Sequence, residues 1–431
     1  MSLKQTIKRF IPEDLFLRIV PIWHLAVAAV SHVAYRFPTR GMHFIGVTGT
    51  NGKTTPTNFI FTMLRESGIP TAYLSTTTYG VNKEIHQQIE HMTTVSPPQL
   101  QKRLADFKRK GAQWVVVETS SHALAQHRVW GIPYEIAVMS NITHEHLDYH
   151  KTFNKYREAK RKLFKMAARS QRSLGVVNAE DPAADLFART TKRSISYGLN
   201  QGQITARDIK LTADGSTFMA ISSTREYKIK LNIPGDFNVS NALSAIAVGE
   251  ELKLTKQQIE HGLAALKAVE ARMMKVDVGQ DFSVIIDHAG TPDAFQRVFD
   301  NLRPIVKGRI ITVFGSPAHR DRIKRPIQGE IAAKYSDEVI LTEEDDRDEP
   351  SEQILGEIAA GAEKAGKVKD KDLFLIPNRT DAINFAMTRV KSKDDLVITL
   401  GKGHEKTIER GTDVLPWSEP KTVEKAIKKV M

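Results

Sequence analysis

The segment Thr48–Thr55, with the sequence TGTNGKTT, has the residue types and the spacing of a loop that holds phosphate groups. Glycines allow the backbone to approach an anion closely, and the first N–H groups of a following helix point at the same place. A lysine in this position reaches the terminal phosphates of a nucleotide, and the threonine after it is a ligand for Mg²⁺. The usual pattern has a further glycine where this chain has Val47, so the match fails by one residue. We predict phosphate binding by Gly49, Thr50, Asn51, Gly52, Lys53, Thr54 and Thr55.

Such a loop requires a strand before it and a helix after it, and the pattern predicts a strand at His43–Val47 and a helix at Lys53–Glu66. The same alternation continues along the chain. Further strands are predicted at Trp114–Val117, Ile136–Met139, Val284–Ile286, Ile310–Phe314, Glu338–Leu341, Leu373–Ile376 and Leu396–Thr399. Further helices are predicted at Phe153–Ala167, Ala294–Leu302, Gln328–Tyr335, Ser351–Ala365 and Asp381–Val390. We therefore predict an α/β fold with mostly parallel sheets: an N-terminal apolar helical segment (1–40), a central P-loop nucleotide-binding domain (41–271) and a C-terminal Rossmann-like domain (272–431).

Composition excludes several classes of protein. The 431 residues include no cysteine, which excludes a disulfide scaffold, cysteine-ligated zinc and a cysteine nucleophile. The formal charge of +12 suits anionic small substrates, whereas no recognition module accompanies it, so no nucleic-acid partner is expected. No secretory signal is evident, and we expect a cytoplasmic protein.

The N-terminal segment is apolar from Leu15 to Phe37 but is interrupted by polar residues and a proline, Arg18, Pro21, His24, Ser31 and His32. A membrane span needs about 20 mostly apolar residues without such interruptions. We expect a helix that packs on the body of the protein or lies on a membrane surface.

Six segments resemble those of the Mur ligases, in the family's order along the chain. They are TGTNGKTT (48–55), VETSSHALAQHR (117–128), SNITHEHLDYHKTFNKYREAKRKLF (140–164), PGDFNVSNA (234–242), RDRIKRP (320–326) and GKGHE (401–405). The second and the last are most similar to the MurE-type branch, UDP-N-acetylmuramoyl-dipeptide:amino-acid ligases. The resemblance implies ATP- and Mg²⁺-dependent amide formation through an acyl phosphate, in which an amino acid is added to a muropeptide-type acceptor during peptidoglycan synthesis.

The resemblance also implies roles for individual residues. Lys53, Glu118, His146 and Lys160 would be catalytic, and Thr54, Glu118, His146 and Lys160 would be magnesium ligands. Lys160 matches the position of a carbamylated lysine, whose charge the modification reverses. The alternative is a solvated cation, one of several on a basic helix, which is the usual state of lysine. Asn238 and Asn241 would lie near the adenine, and Arg272 and Asp287 would contact ATP from the hinge side. The two asparagines are also expected to cap a helix that begins near Val239, with or without a contact to adenine.

The acceptor and the incoming amino acid have their own implied contacts. By resemblance, the acceptor would meet Thr93, Thr94, Ser120, Gln126 and Arg128, and the amino acid would meet Arg320, Arg347, Gly401 and Glu405. Residues 344–347, Glu-Asp-Asp-Arg, stand where relatives that select diaminopimelate have Asp-Asn-Pro-Arg. The four consecutive acids Glu343–Asp346 suit an ammonium-bearing side chain. We predict that the added residue is a diamino acid, lysine or diaminopimelate.

This sequence departs from the family pattern at its start, where about 40 residues precede the phosphate loop, too few for the family's uridine-nucleotide domain. The acceptor is therefore expected to be either nucleotide-linked or lipid-linked, and the enzyme to be a monomer. Three alternatives stay open. They are a folylpolyglutamate-synthase-like ligase, a non-catalytic nucleotide-binding protein, and a metal-dependent hydrolase using His144–His150.

Overall fold

The computed structural model describes residues 13–88, 90, 92–143, 145–212, 215–269 and 272–431, with the side chains of residues 13–19 and of Asp148 left out of the description. In the N-terminal half the elements are α1 (Glu13–Ala34), β1 (His43–Thr48), α2 (Thr54–Glu66), β2 (Thr71–Leu74), β3 (Thr78–Val81), β4 (Glu84–Gln87), α3 (Pro97–Arg109), β5 (Trp114–Glu118), α4 (Ser121–Ala125), β6 (Tyr134–Met139), α5 (Leu147–His150), α6 (Phe153–Ala167), β7 (Leu174–Asn178), α7 (Ala184–Ala188) and β8 (Arg193–Tyr197).

The remaining elements are β9 (Thr205–Thr212), β10 (Gly215–Ile221), β11 (Glu226–Leu231), α8 (Asp236–Glu251), α9 (Lys256–Ala264), β12 (Met274–Lys275), β13 (Ser283–Asp287), α10 (Pro292–Leu302), β14 (Ile310–Phe314), α11 (Lys324–Tyr335), β15 (Glu338–Leu341), α12 (Ser351–Lys364), β16 (Leu373–Leu375), α13 (Arg379–Thr388), β17 (Leu396–Leu400), β18 (Thr407–Arg410), β19 (Asp413–Pro416) and α14 (Glu419–Val430).

The chain divides into two compact units that are not contiguous in sequence. The first comprises the described residues up to 209 together with 217–230 and 238–266, and the second comprises those of 210–216, 231–237 and 267–431. The domain boundaries expected from the sequence stay a prediction.

An eight-stranded sheet organises the first unit, in the order β4-β3-β2-β5-β1-β6-β7-β8. From β2 to β8 its neighbours pair in parallel, and only the β2-β3-β4 edge is antiparallel. Strand β1 lies between β5 and β6, with Val47 paired to Glu118 and Thr48 to Met139. Because the carboxyl ends of parallel strands meet at one edge, the residues after these three strands converge there.

A six-stranded sheet organises the second unit, in the order β12-β13-β17-β14-β15-β16, and only its β12–β13 pair is antiparallel. Its strands are apolar on both faces because helices cover both, as is usual for parallel sheets. The carboxyl ends of β13, β17 and β15 bring together Asp287, Gly401 and the acidic loop that begins at Thr342. The predicted α/β class and mostly parallel sheets are confirmed.

Helix α1 packs against α3 in the first unit, where the buried His32 ring and the Gln101 side chain share a hydrogen bond of 3.0 Å between Nδ1 and Oε1. The edge of the His32 ring also packs on Trp130. Among the described residues, no helix is long and apolar enough to cross a bilayer.

Candidate active site

The loop after β1 is held by the residues that follow β6. Asn141 accepts a hydrogen bond from the Asn51 backbone N–H (3.0 Å) and donates one from its amide to the Asn51 carbonyl (3.1 Å). The Ser140 hydroxyl donates to the same carbonyl at 2.6 Å. These bonds fix the loop between two neighbouring strand ends before any ligand arrives.

Two glycines in this loop leave no room for side chains. A Cβ at Gly49 would lie 1.9 Å from the Ser140 hydroxyl, and one at Gly52, where φ is +66°, would lie 3.0 Å from the Asn241 amide oxygen. The Lys53 side chain does not cap the first turn of α2, and that turn contains no acidic residue. The loop and the helix start therefore form a cradle of backbone that fits phosphate groups.

Lys53 and Lys160 both reach backbone carbonyls of this loop. The Lys53 ammonium donates to the Thr50 carbonyl at 2.6 Å, and the Lys160 amine donates to the Gly49 carbonyl at 2.5 Å. Burial, together with the nearby charge of Lys53, lowers the pKa of the Lys160 amine well below its ordinary value. Lys160 is only 2% exposed, so the expectation of a solvated cation, the common state of lysine, does not hold here.

Glu118 ends β5 beside the loop, and its carboxylate is buried. It accepts hydrogen bonds from the Thr54 hydroxyl (3.2 Å), the Thr76 hydroxyl (2.8 Å) and the Thr76 backbone N–H (2.9 Å). A carboxylate next to a threonine hydroxyl is a suitable donor pair for Mg²⁺, which takes one or two carboxylates and keeps several waters. The structure thus brings together two of the predicted magnesium ligands, Thr54 and Glu118.

His146 is the residue immediately before α5 and has a left-handed backbone conformation, with φ of +55°. Its ring packs against His122, with centroids 4.7 Å apart, and against Tyr156, at 6.3 Å. The Tyr156 hydroxyl lies 2.9 Å from the Thr50 hydroxyl, so His146 is connected to the phosphate loop through one aromatic side chain. Lys160 also contacts Tyr156, with its amine 4.6 Å from the centre of the Tyr156 ring.

The hydrolase alternative falls partly outside the described residues, because His144 and the Asp148 side chain are not described. Within the part of the chain that is described, no group of three or more histidine or acidic side chains has an arrangement that would hold a metal ion. The phosphate loop has no role in such a hydrolase.

Four of the five predicted acceptor residues form one connected cluster. The Arg128 guanidinium donates to the Gln126 side chain (2.9 Å) and to the Thr94 carbonyl (2.7 Å). The Thr94 hydroxyl in turn accepts from the Ser120 backbone N–H at 3.1 Å. Burial lowers the pKa of Arg128. Thr93, half-buried, directly precedes this cluster.

The predicted adenine contacts lie inside α8, not at its start. The helix begins at Asp236, so the expectation that Asn238 and Asn241 cap a helix beginning near Val239 is wrong. Both are buried, and the Asn241 amide donates to Asn238 at 3.2 Å. Both asparagines therefore lie within the helix, where their side chains contact each other.

In the second unit, Asp287 organises the backbone at the end of β13. Its carboxylate accepts from the N–H groups of Met273 and Ala289, each at 2.7 Å. Burial raises the pKa of Asp287, and the positive charge of Arg272 opposes that rise. The two predicted hinge-side residues are therefore electrostatic neighbours.

An acidic cluster occupies the carboxyl ends of β15 and β17. Gly401 has φ of +98°, and a Cβ there would lie 2.6 Å from a carboxylate oxygen of the buried Glu344. Burial, with the negative charge of Glu405 second, raises the pKa of Glu344 to about 7. The buried Lys402 ammonium contacts both Asp345 (2.7 Å) and Glu405.

The two predicted arginines of this unit differ in their surroundings. Arg320 is exposed on the loop before α11. Arg347 donates to the Glu409 carboxylate (2.7 Å) and to the Ala318 carbonyl (3.1 Å), so these contacts already engage its guanidinium.

Comparison with known proteins decides the family. Residues 47–249 match the family model described as Mur ligase middle domain, and residues 271–403 match that described as Mur ligase, glutamate ligase domain. The chain is 37% identical over 422 residues to UDP-N-acetylmuramyl-tripeptide synthetase of Roseiflexus sp. (strain RS-1). The alignment covers 95% of this chain and 83% of that protein. The chain belongs to the Mur ligase family. It is accordingly an ATP-dependent ligase of a family that builds peptidoglycan precursors and uses ATP and Mg²⁺.

Solved structures agree with this Mur ligase fold. A structure of UDP-N-acetylmuramoyl-L-alanyl-D-glutamate--2,6-diaminopimelate ligase is similar with a TM-score of 0.64 and 30% identity, over 94% of this chain and 81% of that one. The folylpolyglutamate synthase of Mycobacterium tuberculosis has a TM-score of 0.68 at 15% identity, over 88% of this chain and 92% of that one. At that identity the second likeness concerns the fold alone.

Sequence reasoning missed several residues of this Mur ligase's candidate site. Thr76 holds both oxygens of Glu118, and Lys402 holds two acids of the second unit. Lys402 lies inside the GKGHE segment, which was a usable signal. Thr76 lies in a loop with no motif, and only the pairing of β2 with β5 brings it to Glu118.

Proposed function

We propose that this Mur ligase adds a diamino acid, lysine or diaminopimelate, to the dipeptide of a UDP-N-acetylmuramoyl acceptor in the cytoplasm, as a monomer. The MurE-type activity is supported by the TSSHALAQHR and GKGHE segments. It is also supported by the names of two relatives, a tripeptide synthetase and a diaminopimelate ligase. The observation that carries the choice of amino acid is the buried acidic cluster around Glu344.

The candidate residues divide the work of amide formation between them. The acceptor carboxylate attacks the γ-phosphorus of ATP, ADP leaves, and the amine then displaces phosphate from the acyl carbon with loss of a proton. The loop amides and Lys53 would hold the phosphates and offset the charge that develops there. Mg²⁺, when bound by Thr54 and Glu118, supplies positive charge between the anionic reactants. Arg128 would orient an anionic group of the acceptor, since a guanidinium fork suits carboxylate and phosphate.

Carbamylation of Lys160 is part of this proposal. Only a neutral amine attacks CO₂, and burial beside Lys53 favours the neutral amine. The Lys160 nitrogen would bond to the carbon of CO₂, release one proton to solvent and become an anionic carbamate. That anion would add a negative ligand beside the phosphate loop.

The second ammonium of a diamino acid would be recognised by Glu344 and Glu405. The mutual repulsion of these carboxylates is unfavourable in the free enzyme, and a cation between them removes it. A monoamino acid of the same length lacks that cation. A site built to pair a charge discriminates strongly against analogues that lack it.

A ligation screen tests the proposed function. The purified full chain, ATP and Mg²⁺ would be combined with the UDP-N-acetylmuramoyl dipeptide, with a lipid-linked muropeptide or with a folate, and with a panel of amino acids. We expect an amide product only with the UDP-N-acetylmuramoyl dipeptide and with lysine or diaminopimelate. A product with the lipid-linked muropeptide alone would contradict the proposed acceptor. A folate product would favour the folylpolyglutamate-synthase-like alternative, and phosphate release without any amide would contradict the proposal.

The pH dependence of amino-acid binding gives a sharper prediction. The pKa of Glu344 is raised to about 7, whereas the second ammonium of lysine stays charged to about pH 10. Because only the ionised Glu344 binds an ammonium, KM for the diamino acid should rise about ten-fold per pH unit below 7 and should level off above it. Initial rates over a range of about three pH units centred on about pH 7 would measure this.

The variant Glu344→Gln should raise KM for the diamino acid at pH 8 and abolish its dependence on pH, while KM for ATP stays unchanged. Its thermal stability at pH 8 should not fall, because a raised pKa means that the ionised carboxylate destabilises the fold above that pKa. Glu352→Gln, at an exposed position of α12, is the matched control. A Glu344→Gln enzyme with an unaltered pH profile would remove Glu344 from the amino-acid site.

A further inference from the structure

Helix α1 carries an exposed apolar stripe in addition to the face that packs on α3. The stripe consists of Ile22, Trp23, Ala26, Val30 and Val33, which follow one another at helical spacing. Four of these side chains are large and well exposed, at 69% for Ile22, 62% for Trp23, 69% for Val30 and 59% for Val33. The opposite face, with Ala28, Ser31 and His32, is buried. A soluble surface rarely presents so many large apolar groups in a row unless something binds there.

A cavity of about 820 Å³ lies at the flank of this stripe, where Leu25 of α1 forms part of its wall. The rest of the wall is largely apolar, with Val129, Ile132 and Met166 among its residues. Trp130 also lines the cavity and is 40% exposed. Tryptophans with an apolar body and a polar edge are enriched at the boundary between water and lipid.

Positive charge predominates around this cavity. Lys162, Lys165 and Arg169 line it, and the one acidic residue of its wall, Glu135, is already paired with Arg172 at 3.1 Å. Lys165 and Arg169 are exposed on α6 and just after it, and Lys165 also pairs with Glu158 at 2.9 Å on the surface of that helix. The crowding of cations is strong enough that the charge of Lys165 adds to burial in lowering the pKa of Lys162.

The sequence before α1 adds more charge of the same sign. The first 12 residues, MSLKQTIKRFIP, contain Lys4, Lys8 and Arg9 and no acid. Basic residues next to an apolar helix are the composition that binds anionic lipid surfaces.

We propose that the α1 stripe and the adjoining cavity dock the ligase on an anionic lipid bilayer. The stripe would enter the boundary between headgroups and acyl chains, the apolar wall of the cavity would take hydrocarbon, and the lysines and arginine would meet lipid phosphates. A second copy of the chain fits less well, because a two-fold interface at this face would set the same positive groups against each other. Docking at a membrane surface would hold the enzyme where its product is next needed if that product is passed to a lipid carrier.

Co-sedimentation of the full chain with vesicles tests this proposal. We expect binding to vesicles of equal parts phosphatidylglycerol and phosphatidylcholine, at least about ten-fold weaker binding to phosphatidylcholine alone, and a loss of affinity as salt is raised. The double variant Trp23→Glu/Val30→Glu should bind at least about ten-fold more weakly, and Lys165→Glu/Arg169→Glu should lose the preference for anionic lipid.

The controls separate docking from folding and from self-association. Val368→Glu/Lys364→Glu alters an exposed apolar residue and an exposed lysine of the second unit and should bind vesicles like the parent chain. All variants should keep the parent rate of ATP-dependent ligation in lipid-free solution. Equal binding to neutral and anionic vesicles, or unchanged binding by Trp23→Glu/Val30→Glu, would overturn the proposal. A lipid-free dimer that this variant dissociates, measured by analytical ultracentrifugation, would assign the face to a second copy and would overturn it as well.

Discussion

Amide synthesis by the Lys160→Ala variant is expected to be about a thousand-fold slower than that of the parent enzyme, which is the usual loss when one preorganised charged group of an active site is removed. The Lys160 amine is buried and donates to the Gly49 carbonyl of the phosphate loop. If the amine is carbamylated, the variant loses a negative metal ligand as well as this hydrogen bond. The measurement is kcat under saturating substrates, together with the Mg²⁺ concentration that gives half the maximal rate.

Two further substitutions separate a carbamate from an ordinary buried amine. Lys160→Arg keeps a cation but cannot form a carbamate at neutral pH, so it should be as slow as Lys160→Ala. Lys160→Glu restores a negative charge and should recover part of the rate at high Mg²⁺. A ¹³C resonance that appears on addition of ¹³CO₂ and is missing from Lys160→Arg would identify the carbamate directly. Full activity of the Lys160→Arg enzyme would contradict a carbamate at this position.

The Glu118→Gln variant is expected to show the second largest effect, a loss of about a hundred-fold to a thousand-fold in kcat. Glutamine keeps the size of the side chain and can accept one of the two hydrogen bonds that Thr76 donates to Glu118, but it removes the negative charge beside Thr54. Since Mg²⁺ binds charged oxygen ligands best, the variant should need at least about ten-fold more Mg²⁺. A titration of initial rate against Mg²⁺ measures both quantities.

Thr76→Val is the matched control for this experiment. It leaves the Glu118 charge in place and removes one hydrogen bond of 2.8 Å that orients the carboxylate. We expect kcat to fall about ten-fold in this variant, with little change in the Mg²⁺ concentration it requires, because Thr76 only positions Glu118. If Glu118→Gln and Thr76→Val behave alike, Glu118 acts through the shape of the loop and not through its charge.

Much of the fold follows from local patterns in the sequence. The helix Phe153–Ala167 and the strands Ile310–Phe314 and Glu338–Leu341 were predicted with the bounds that the structure has. In the helix, the apolar spacing and the capping hydroxyl of Thr152 both indicate the same start. The two strands are short, mostly apolar and rich in β-branched residues, which indicates their bounds. Other helices begin up to four residues before the predicted start. The helix predicted at Gln328–Tyr335, for example, begins at Lys324, because its first turn is polar and lacks the apolar spacing.

Many of the strands that sequence reasoning missed are polar and partly exposed, although two others, β2 and β7, are largely buried. The hairpin β3–β4 has an outer strand, Glu84–Gln87, that is exposed throughout. In the three-stranded sheet β9-β10-β11, no residue of β9 is fully buried, and β11 alternates exposed and buried residues. Such strands depend on their neighbours more than on their own residues, so their pattern resembles that of loops.

The sequence by itself determined the chemistry: a phosphate loop, six motif segments in family order and an α/β alternation are all local, and each is a property of consecutive residues. Only the tertiary structure decided the environment of each group. Lys160 looked like one of several cations on a basic helix, and burial against the Gly49 carbonyl makes it an amine of lowered pKa. Likewise Glu344 was one of four acids in a row, and the close approach of Gly401 places its carboxylate in the interior. The reason is that desolvation and pairing depend on residues more than 50 positions away, which only parallel strand order brings together.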